Sequence, residues 1–496
     1  MDTVQQQAEV VSYAPSPPEE FCGREEERER LAAVISRTGE HGQAVMISGP
    51  PGIGKSSLLS WLAREVRECP GGLPSPVLRA EVFDLPGMIF SAFRELVGDL
   101  RKQTAPGRIG GEGMREAIRY AGDVLEKYAA PVEPVGLLPK TGEEIIGVFA
   151  RSPEVGYDRV RQAFGELLRE LGREMTGTGR IAAILLDDVH LASNLDRRLL
   201  RDTVHDLPPG ILLAFTCRTE GAACPGPATL QEIRDSGYPE VQLSGMRRDE
   251  IRELGERRFR LAVDDAAAAL LETTCSDPFS LMACFNALRC RGLAPSAGNM
   301  ADVLAGAGGP AALAFTTLSG PGKALAEELC VLNPPFPVPV VACMLKLKGT
   351  DVMPAVDRMQ ESGIFRRLPG TGYAFAHPLL QEHCRRELSN DARIALNARA
   401  ADCFERTMHR LPGRLHVLLS LACHFFHAQE YGKAADLNLE LGLRFYHRED
   451  YDTALVLTER AIASAEHLGD DALLAAARRQ GDLIRQKVAG PVEPAQ

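Results

Sequence analysis

The stretch MISGPPGIGKSSLLSWL, residues 46–62, constrains the fold more than any other part of the chain. Its pattern Gly49-x-x-x-x-Gly54-Lys55-Ser56 closes an apolar run and opens a helical one. That is the strand–loop–helix setting a phosphate-binding loop requires, and it predicts an α/β core built on a parallel sheet. Glycines at 49, 52 and 54 let the backbone turn tightly, so that N–H groups between Pro51 and Ser57 point inward at phosphate oxygens. Pro50 and Ile53 complete the loop, and the helix behind it adds its positive end. In this reading Lys55 bridges the terminal phosphates, the Ser56 hydroxyl ligates Mg2+ and Ser57 lies near the α-phosphate. Trp61, the one tryptophan of the sequence, is expected to pack the helix against the sheet.

A phosphate cradle needs an acidic element that holds the metal from the far side and aims a water at the γ-phosphate. The segment IAAILLDDVHLAS supplies it. Its apolar run, 181–186, reads as a buried parallel strand that delivers Asp187 and Asp188 at its carboxyl end, where open α/β sheets bind ligands. Asp187 is assigned to Mg2+ and Asp188 to orienting the attacking water; such a pair taken alone also serves as a helix cap. GILLAFTCRTE reads as a further strand that ends in Thr216 and Arg218. In the usual sheet order these lie beside the aspartates, with Arg218 either a solvated arginine or a sensor of the γ-phosphate.

The length of 496 residues exceeds a single core and suggests three or four domains. Lys plus Arg number 56 against 67 Asp plus Glu, and the net charge of −11 argues against broad, non-specific nucleic-acid binding. The opening MDTVQQQAEVVSYAPSPPEE lacks the basic start and apolar run of a signal peptide, and no segment has the length of apolar sequence that spans a bilayer. A cytoplasmic protein without membrane contact is expected. The twelve cysteines include no C-x-x-C pair and read as reduced, mostly buried side chains. His424 and His427, beside Cys423, come nearest to a metal cluster, although LACHFFHAQEY reads more simply as a packed helix.

Residues 1–20, rich in Gln, Pro and Glu, read as a disordered lead. A nucleotide-binding domain is expected over 21–240, opening with a helix from about Arg24 and carrying an irregular insertion at about 103–157 with one helix near 114–128. A helical lid follows over 241–300, then a Gly/Ala-rich link, LAGAGGPAA. Residues 312–390 mix helices with two strand-like runs in GIFRRLPGTGYAFAHPLL, an alternation that suits a winged-helix domain. Residues 391–496 are helical in period. One window there fits a tetratricopeptide template, with Leu441, Gly442, Phe445, Tyr451, Ala454 and Ala461 at its small and large positions.

The order of these pieces resembles the signal-transduction ATPases with numerous domains, the STAND ATPases, and more closely the ATPase core of the large ATP-binding regulators of the LuxR family. The resemblance rests on FCGREEE, GPPGIGKSS, LLDDVHLAS, LLAFTCRTE, CSDPFSL and YAFAHPLLQEHCRREL followed by helical repeats, over about residues 21–465. It implies an α/β P-loop NTPase followed by an all-α lid, a winged-helix domain and TPR-like repeats, with ATP or ADP and Mg2+ as cofactors. It also implies that Gly23 and Arg24 line the adenine pocket, that Pro278 closes over the base, that Arg218 senses the γ-phosphate and that His377 touches the β-phosphate of ADP. By its residues alone His377 reads as a core or turn histidine before a proline, and it is the resemblance that raises the phosphate contact beside that reading. Leu191 and Ser193 stand where the family has Trp and Asp, and Ser276 where it has Gly. LuxR-type members continue to a C-terminal helix-turn-helix, and no basic recognition helix is visible in this sequence.

The function implied is a slow ATPase switch. ADP would hold the domains closed, ATP would favour an open form that self-associates or engages a partner, and the repeats would receive an inducer ligand or a protein. A winged-helix DNA-binding factor under ATP control is an alternative, as is a nucleotide-loaded scaffold that does not hydrolyse. Direct DNA binding finds little basic sequence to rest on, since CMLKLKGTD offers only Lys346 and Lys348.

Overall fold

The computed structural model describes residues 11–14, 21–68, 74–82, 91–104, 111–129, 157–219, 238–306, 308–348, 351–361, 363–368, 372–411 and 414–488. Strands β1 (Gln43–Gly49), β2 (Val77–Glu81), β3 (Ala182–Asp187), β4 (Ile211–Arg218) and β5 (Glu240–Gln242) form a parallel sheet in the order β2-β3-β4-β1-β5. The three central strands are buried almost end to end, which is the pattern of strands covered on both faces. Their period of two divides them between two cores. Val45, Ile47, Ala183, Leu185, Leu212 and Ala214 pack with the helices Glu25–Arg37 and Lys55–Arg67. Met46, Ile184, Leu186, Leu213 and Phe215 pack with Ser91–Thr104, Glu112–Ala129, Tyr157–Gly177 and Asn194–His205.

Because β4 lies between β1 and β3, the phosphate loop and the acidic pair leave the sheet from strands that do not touch, and a crevice opens above β4. Trp61 lies against Phe21, with ring centroids 6.4 Å apart, and under the Arg28 guanidinium at 5.1 Å. It thus ties the first helix to the loop helix, a wider role than packing on the sheet. The helix Glu112–Ala129 buries Met114, Ile118, Ala121 and Leu125 in the sheet-facing core, so this part of the expected insertion is integral to the domain. The remainder of that segment at 105–110 and 130–156, and the lead apart from 11–14, lie outside the described residues.

Beyond the sheet come the helices Arg248–Phe259, Asp265–Thr274, Pro278–Arg291 and Ala297–Ala305. The chain breaks at 275–277 because Asp277 caps the next helix, accepting the Ser280 N–H at 2.9 Å with Pro278 in the first turn. The Gly/Ala link is shorter than its composition suggests, since Ala297–Ala305 and Pro310–Thr316 take up its two ends.

A second module runs through Gly320–Leu329, β6 (Phe336–Pro337), Val338–Met344, Val352–Glu361, β7 (Phe365–Arg367), β8 (Gly372–Phe375) and Pro378–Glu387. Its strands form an antiparallel sheet, β6-β8-β7. The two-residue edge strand β6 escapes sequence reading because Pro337 within it and Pro335 before it argue against a strand, and only an edge tolerates a proline. One hydrophobic core joins the lid, this module and the first repeat helices, with Phe285, Phe336 and Phe404 fully buried in it.

Among the described residues, α-helices Asn390–Thr407, Arg414–His427, Tyr431–His447, Tyr451–Leu468 and Asp471–Val488 follow. Gly442 is the point of close approach among them, because a Cβ there would lie 2.7 Å from both Thr458 Oγ1 and Gln480 Nε2. Leu441, Phe445 and Leu457 join the core beneath the nucleotide sheet, so the repeats fold back on the ATPase domain. His424 is a core histidine, its Nδ1 2.9 Å from Asn397 Oδ1 and its ring stacked on Phe404. One expectation for the cysteines is overturned. Cys343 and Cys403 form a disulfide between the second module and the first repeat helix, a pairing across 60 residues that only tertiary packing brings together. Among the described residues no helix is long and apolar enough to cross a membrane.

Candidate nucleotide site

The loop between β1 and its helix turns through Gly52 and Gly54 at φ of 83° and 97°, left-handed conformations that suit glycine. A Cβ on Gly52 would meet Phe279 Cβ at 3.0 Å, so the bare backbone also lets the lid approach. Lys55 is buried, and its Nζ donates to the carbonyls of Gly49 at 2.9 Å and Pro50 at 2.8 Å. Burial lowers this ammonium to about 8; Asp188 and Asp187 pull the other way and Arg218 adds to the lowering.

Asp187 ends β3 and is buried. Its Oδ1 accepts from Thr216 Oγ1 at 2.6 Å and from Ser56 Oγ at 3.1 Å, and its Oδ2 lies 3.3 Å from Arg79 Nη2. Burial alone would raise this carboxyl, but Arg79 and the two hydroxyl donors more than offset it, and Asp187 is held ionised. Asp188 adopts a left-handed backbone at φ 57°, its N–H donating to Thr216 Oγ1 at 2.8 Å. Burial raises Asp188 to about 7, with Asp187 and Glu81 adding to the rise against Arg218 and Lys55. Thr216 therefore orients both aspartates at once. His190, buried beside them with Nδ1 3.7 Å from Asp188 Oδ1, is kept neutral, its pKa lowered to about 3 by burial and by the cations Arg218 and Lys55.

The Ser56 hydroxyl and ionised Asp187 carboxylate already converge, and hard oxygen donors of this kind suit Mg2+. Among the described residues no group of three or more acidic, His or Cys side chains could hold a metal by itself. Mg2+ would thus be held by this pair together with the phosphates, its usual mode in nucleotide sites.

A cleft with about 820 Å³ of empty space lies over the loop. Pro51, Gly52, Gly54, Lys55, Ser56, Ser57, Asp188, Arg218, Pro278 and His377 all border it. The remaining walls come from residues that the sequence did not single out: Tyr13 and Ala14, Glu81, Leu254, Arg258, Phe279, Met282, Arg366, Ala376 and Pro378. Glu81 carried a signal, since it ends a strand as Asp187 does, and the two are register partners. Arg366 and Tyr13 carried none.

His377 caps the helix Pro378–Glu387, its Nδ1 accepting the Leu379 N–H at 3.3 Å, and its ring stacks on Phe279 at 4.2 Å. Burial lowers it to about 3, with Arg218, Lys55 and Arg366 adding to the effect.

Gly23 and Arg24 do not border the cleft, contrary to the expectation for an adenine wall. Their left-handed turn, φ 65° and 62°, points two N–H groups at the lid: Gly23 N to Glu253 Oε2 at 3.0 Å and Arg24 N to Glu250 Oε1 at 2.6 Å. Arg24 Nη2 also donates to the Ile53 carbonyl at 3.3 Å and steadies the loop from behind. A Cβ on Gly23 would lie 2.6 Å from Glu250 Oε1. Gly23→Ala is expected to lower stability by ~1–3 kcal/mol, seen as a lower urea midpoint, and an unchanged midpoint would contradict this account of the turn.

The cleft lies instead under the segment 11–14. Asn286, fully buried, holds Val11 through both its N–H and its carbonyl at 2.9 Å each, and Tyr13 N donates to Gly363 O at 3.0 Å. A short strap thus joins lid and second module across one wall of the site.

Residues 20–215 match the model of the AAA ATPase domain. The chain thus contains a parallel-sheet P-loop core, and the match takes in the loop, Asp187 and Asp188 and ends within β4, short of Arg218. Among solved structures the chain is similar to a STAND protein with a tetratricopeptide repeat sensor from Pyrococcus horikoshii, at 14% identity and a TM-score of 0.48, covering 97% of this chain and 67% of that one. It is also similar to the Walker-type ATPase of Pyrococcus abyssi, at 15% identity and 0.35, covering 75% and 98%. A RuvB variant from Thermotoga maritima gives 13% and 0.32, covering 76% and 99%. No curated protein matches the chain.

Proposed function

We propose that this chain is an ATP-binding, slowly hydrolysing signal-transduction switch of the STAND kind, resembling the ATPase core of LuxR-family regulators. One observation carries the reading: Arg366 and His377 of the second module border the same cleft as Lys55, Asp188 and Arg218, so a nucleotide there would touch both bodies. A ligand that contacts two bodies differently in two chemical states shifts their relative position, and a few kcal/mol of difference suffices.

In this scheme Lys55 and the loop N–H groups hold the phosphates, Ser56 and Asp187 the Mg2+, and Asp188 the attacking water. Arg218 senses the γ-phosphate and Pro278 closes over the base. His377 accepts the Leu379 N–H through Nδ1, which leaves Nε2 as the protonated nitrogen of a neutral ring and a donor for a β-phosphate oxygen. The order helix–strand–helix–helix–strand–strand over 320–375 supports a winged-helix reading of the second module, acting as a latch. The repeats, packed back on the ATPase core, would take the signal from an inducer ligand or a protein in the cytoplasm, and the output would be transcriptional or pathway regulation through partner binding or self-association.

Small-angle scattering of the protein with ADP and with a non-hydrolysable Mg-ATP analogue tests this. A compact particle with ADP and an expanded or assembled one with the analogue are expected. Superimposable curves, with both nucleotides bound, would sink the switch.

A further inference from the structure

Strand β7 places Phe365 and Arg366 on opposite sides. Phe365, paired in register with Phe375, is buried in the core of the second module. Arg366 faces the ATPase core instead, where its Nη2 donates to Glu81 Oε1 in a close ion pair spanning 285 residues of sequence. Glu81 is the last residue of β2 and lies opposite Asp187 in the sheet register. Arg366 borders the cleft together with Lys55, Ser56, Asp188 and Arg218, and its Nε is buried without a hydrogen-bond partner among the described residues. An arginine fork offers five donors in a plane that matches two oxygens of a phosphate, so this one is under-used by Glu81.

We propose that Arg366 is a phosphate-binding residue carried into the nucleotide cleft by the second module, and that Glu81 is the acceptor it holds when no phosphate engages it. The proposal rests on reading the cleft as a nucleotide site. Exchange of Glu81 for a phosphate oxygen keeps the buried guanidinium compensated, and it moves that positive charge from the Glu81 carboxylate to the ligand. Glu81 then stands beside Asp187 and Asp188 without its cation. The phosphate end of the nucleotide and the Glu81 carboxylate thus compete for one arginine, and the position of the module that carries Arg366 follows the winner. Recognition of this kind depends on the phosphate tail and is indifferent to the base.

The test is calorimetric titration of the full chain, freed of bound nucleotide, with adenosine, ADP and Mg-ATP. Arg366→Gln is expected to weaken at least one phosphorylated ligand roughly ten- to hundredfold and to leave adenosine unchanged, with Arg366→Lys recovering part of the loss. Glu81→Gln preserves side-chain size and removes the competing charge. It should tighten the same ligand roughly three- to tenfold, and that gain carries the test if Arg366→Gln does not fold. A merely structural bridge would lower the melting temperature in both variants with no selectivity for the phosphate tail, which would overturn the assignment. Lys55→Ala separates the two levels: if it also leaves ADP affinity unchanged, the reading of the cleft fails and the proposal with it. If it abolishes binding while Arg366→Gln and Glu81→Gln behave as wild type, only the assignment of Arg366 fails.

Discussion

Freshly purified wild-type protein is expected to release close to one equivalent of ADP on denaturation, and Lys55→Ala to release none. The Lys55 ammonium is buried and held by two loop carbonyls, so its desolvation is already incurred before a phosphate arrives. Phosphate oxygens would replace neutral carbonyls with charged acceptors, and charge-assisted hydrogen bonds are the stronger kind. Loss of two such bonds predicts an affinity lower by roughly 10²–10⁴. The substitution also removes a cation whose charge is depressed by burial, so the fold itself should survive it. Circular dichroism of the variant checks this. A folded Lys55→Ala protein that still carried ADP would mean the loop does not hold phosphates at all.

The second large effect concerns Asp188. Asp188→Asn should retain Mg-ATP affinity within a few-fold and lose turnover by roughly 10²–10⁴, the range for removing a general base. Its pH profile carries the sign. The carboxyl of the nucleotide-free protein is raised to about 7, and the proposed role in aiming the water requires its deprotonated form, so kcat/KM should climb with pH up to about 7. Lys55, lowered to about 8, loses its charge above that, so the profile should fall again and form a narrow bell.

Stability runs the opposite way. Between the ordinary value of 3.8 and the folded value of about 7, the native state keeps a proton that the unfolded chain has lost. The contribution of Asp188 to stability is therefore full at low pH and lost as pH rises through about 7. Asp188→Asn should flatten that part of the stability profile of the nucleotide-free protein. A variant whose turnover and pH profiles match the wild type would remove Asp188 from the chemistry.

Features that depend on neighbours in the chain were legible in the sequence, because local physics specifies them. Strand, turn and helix around Gly49–Ser57 lie within a few residues of one another, so apolar run, glycines and helix former need no outside partner to declare themselves. The same holds for β3, whose six buried residues end in Asp187, and for the capped helices of the lid and repeats. Contacts between residues distant in sequence were not legible. Glu81 with Arg366, Val11 with Asn286, Gly23 and Arg24 with Glu253 and Glu250, and Cys343 with Cys403 each join elements that meet only after the modules dock. An arginine in a short strand or a tyrosine in a polar lead has no periodicity to betray its target. Local patterning was enough to specify a parallel P-loop core, the acids at its strand ends and the helical units that follow; which second-module and N-terminal residues wall the cleft followed from docking, because such contacts depend on burial shared between surfaces far apart in the chain.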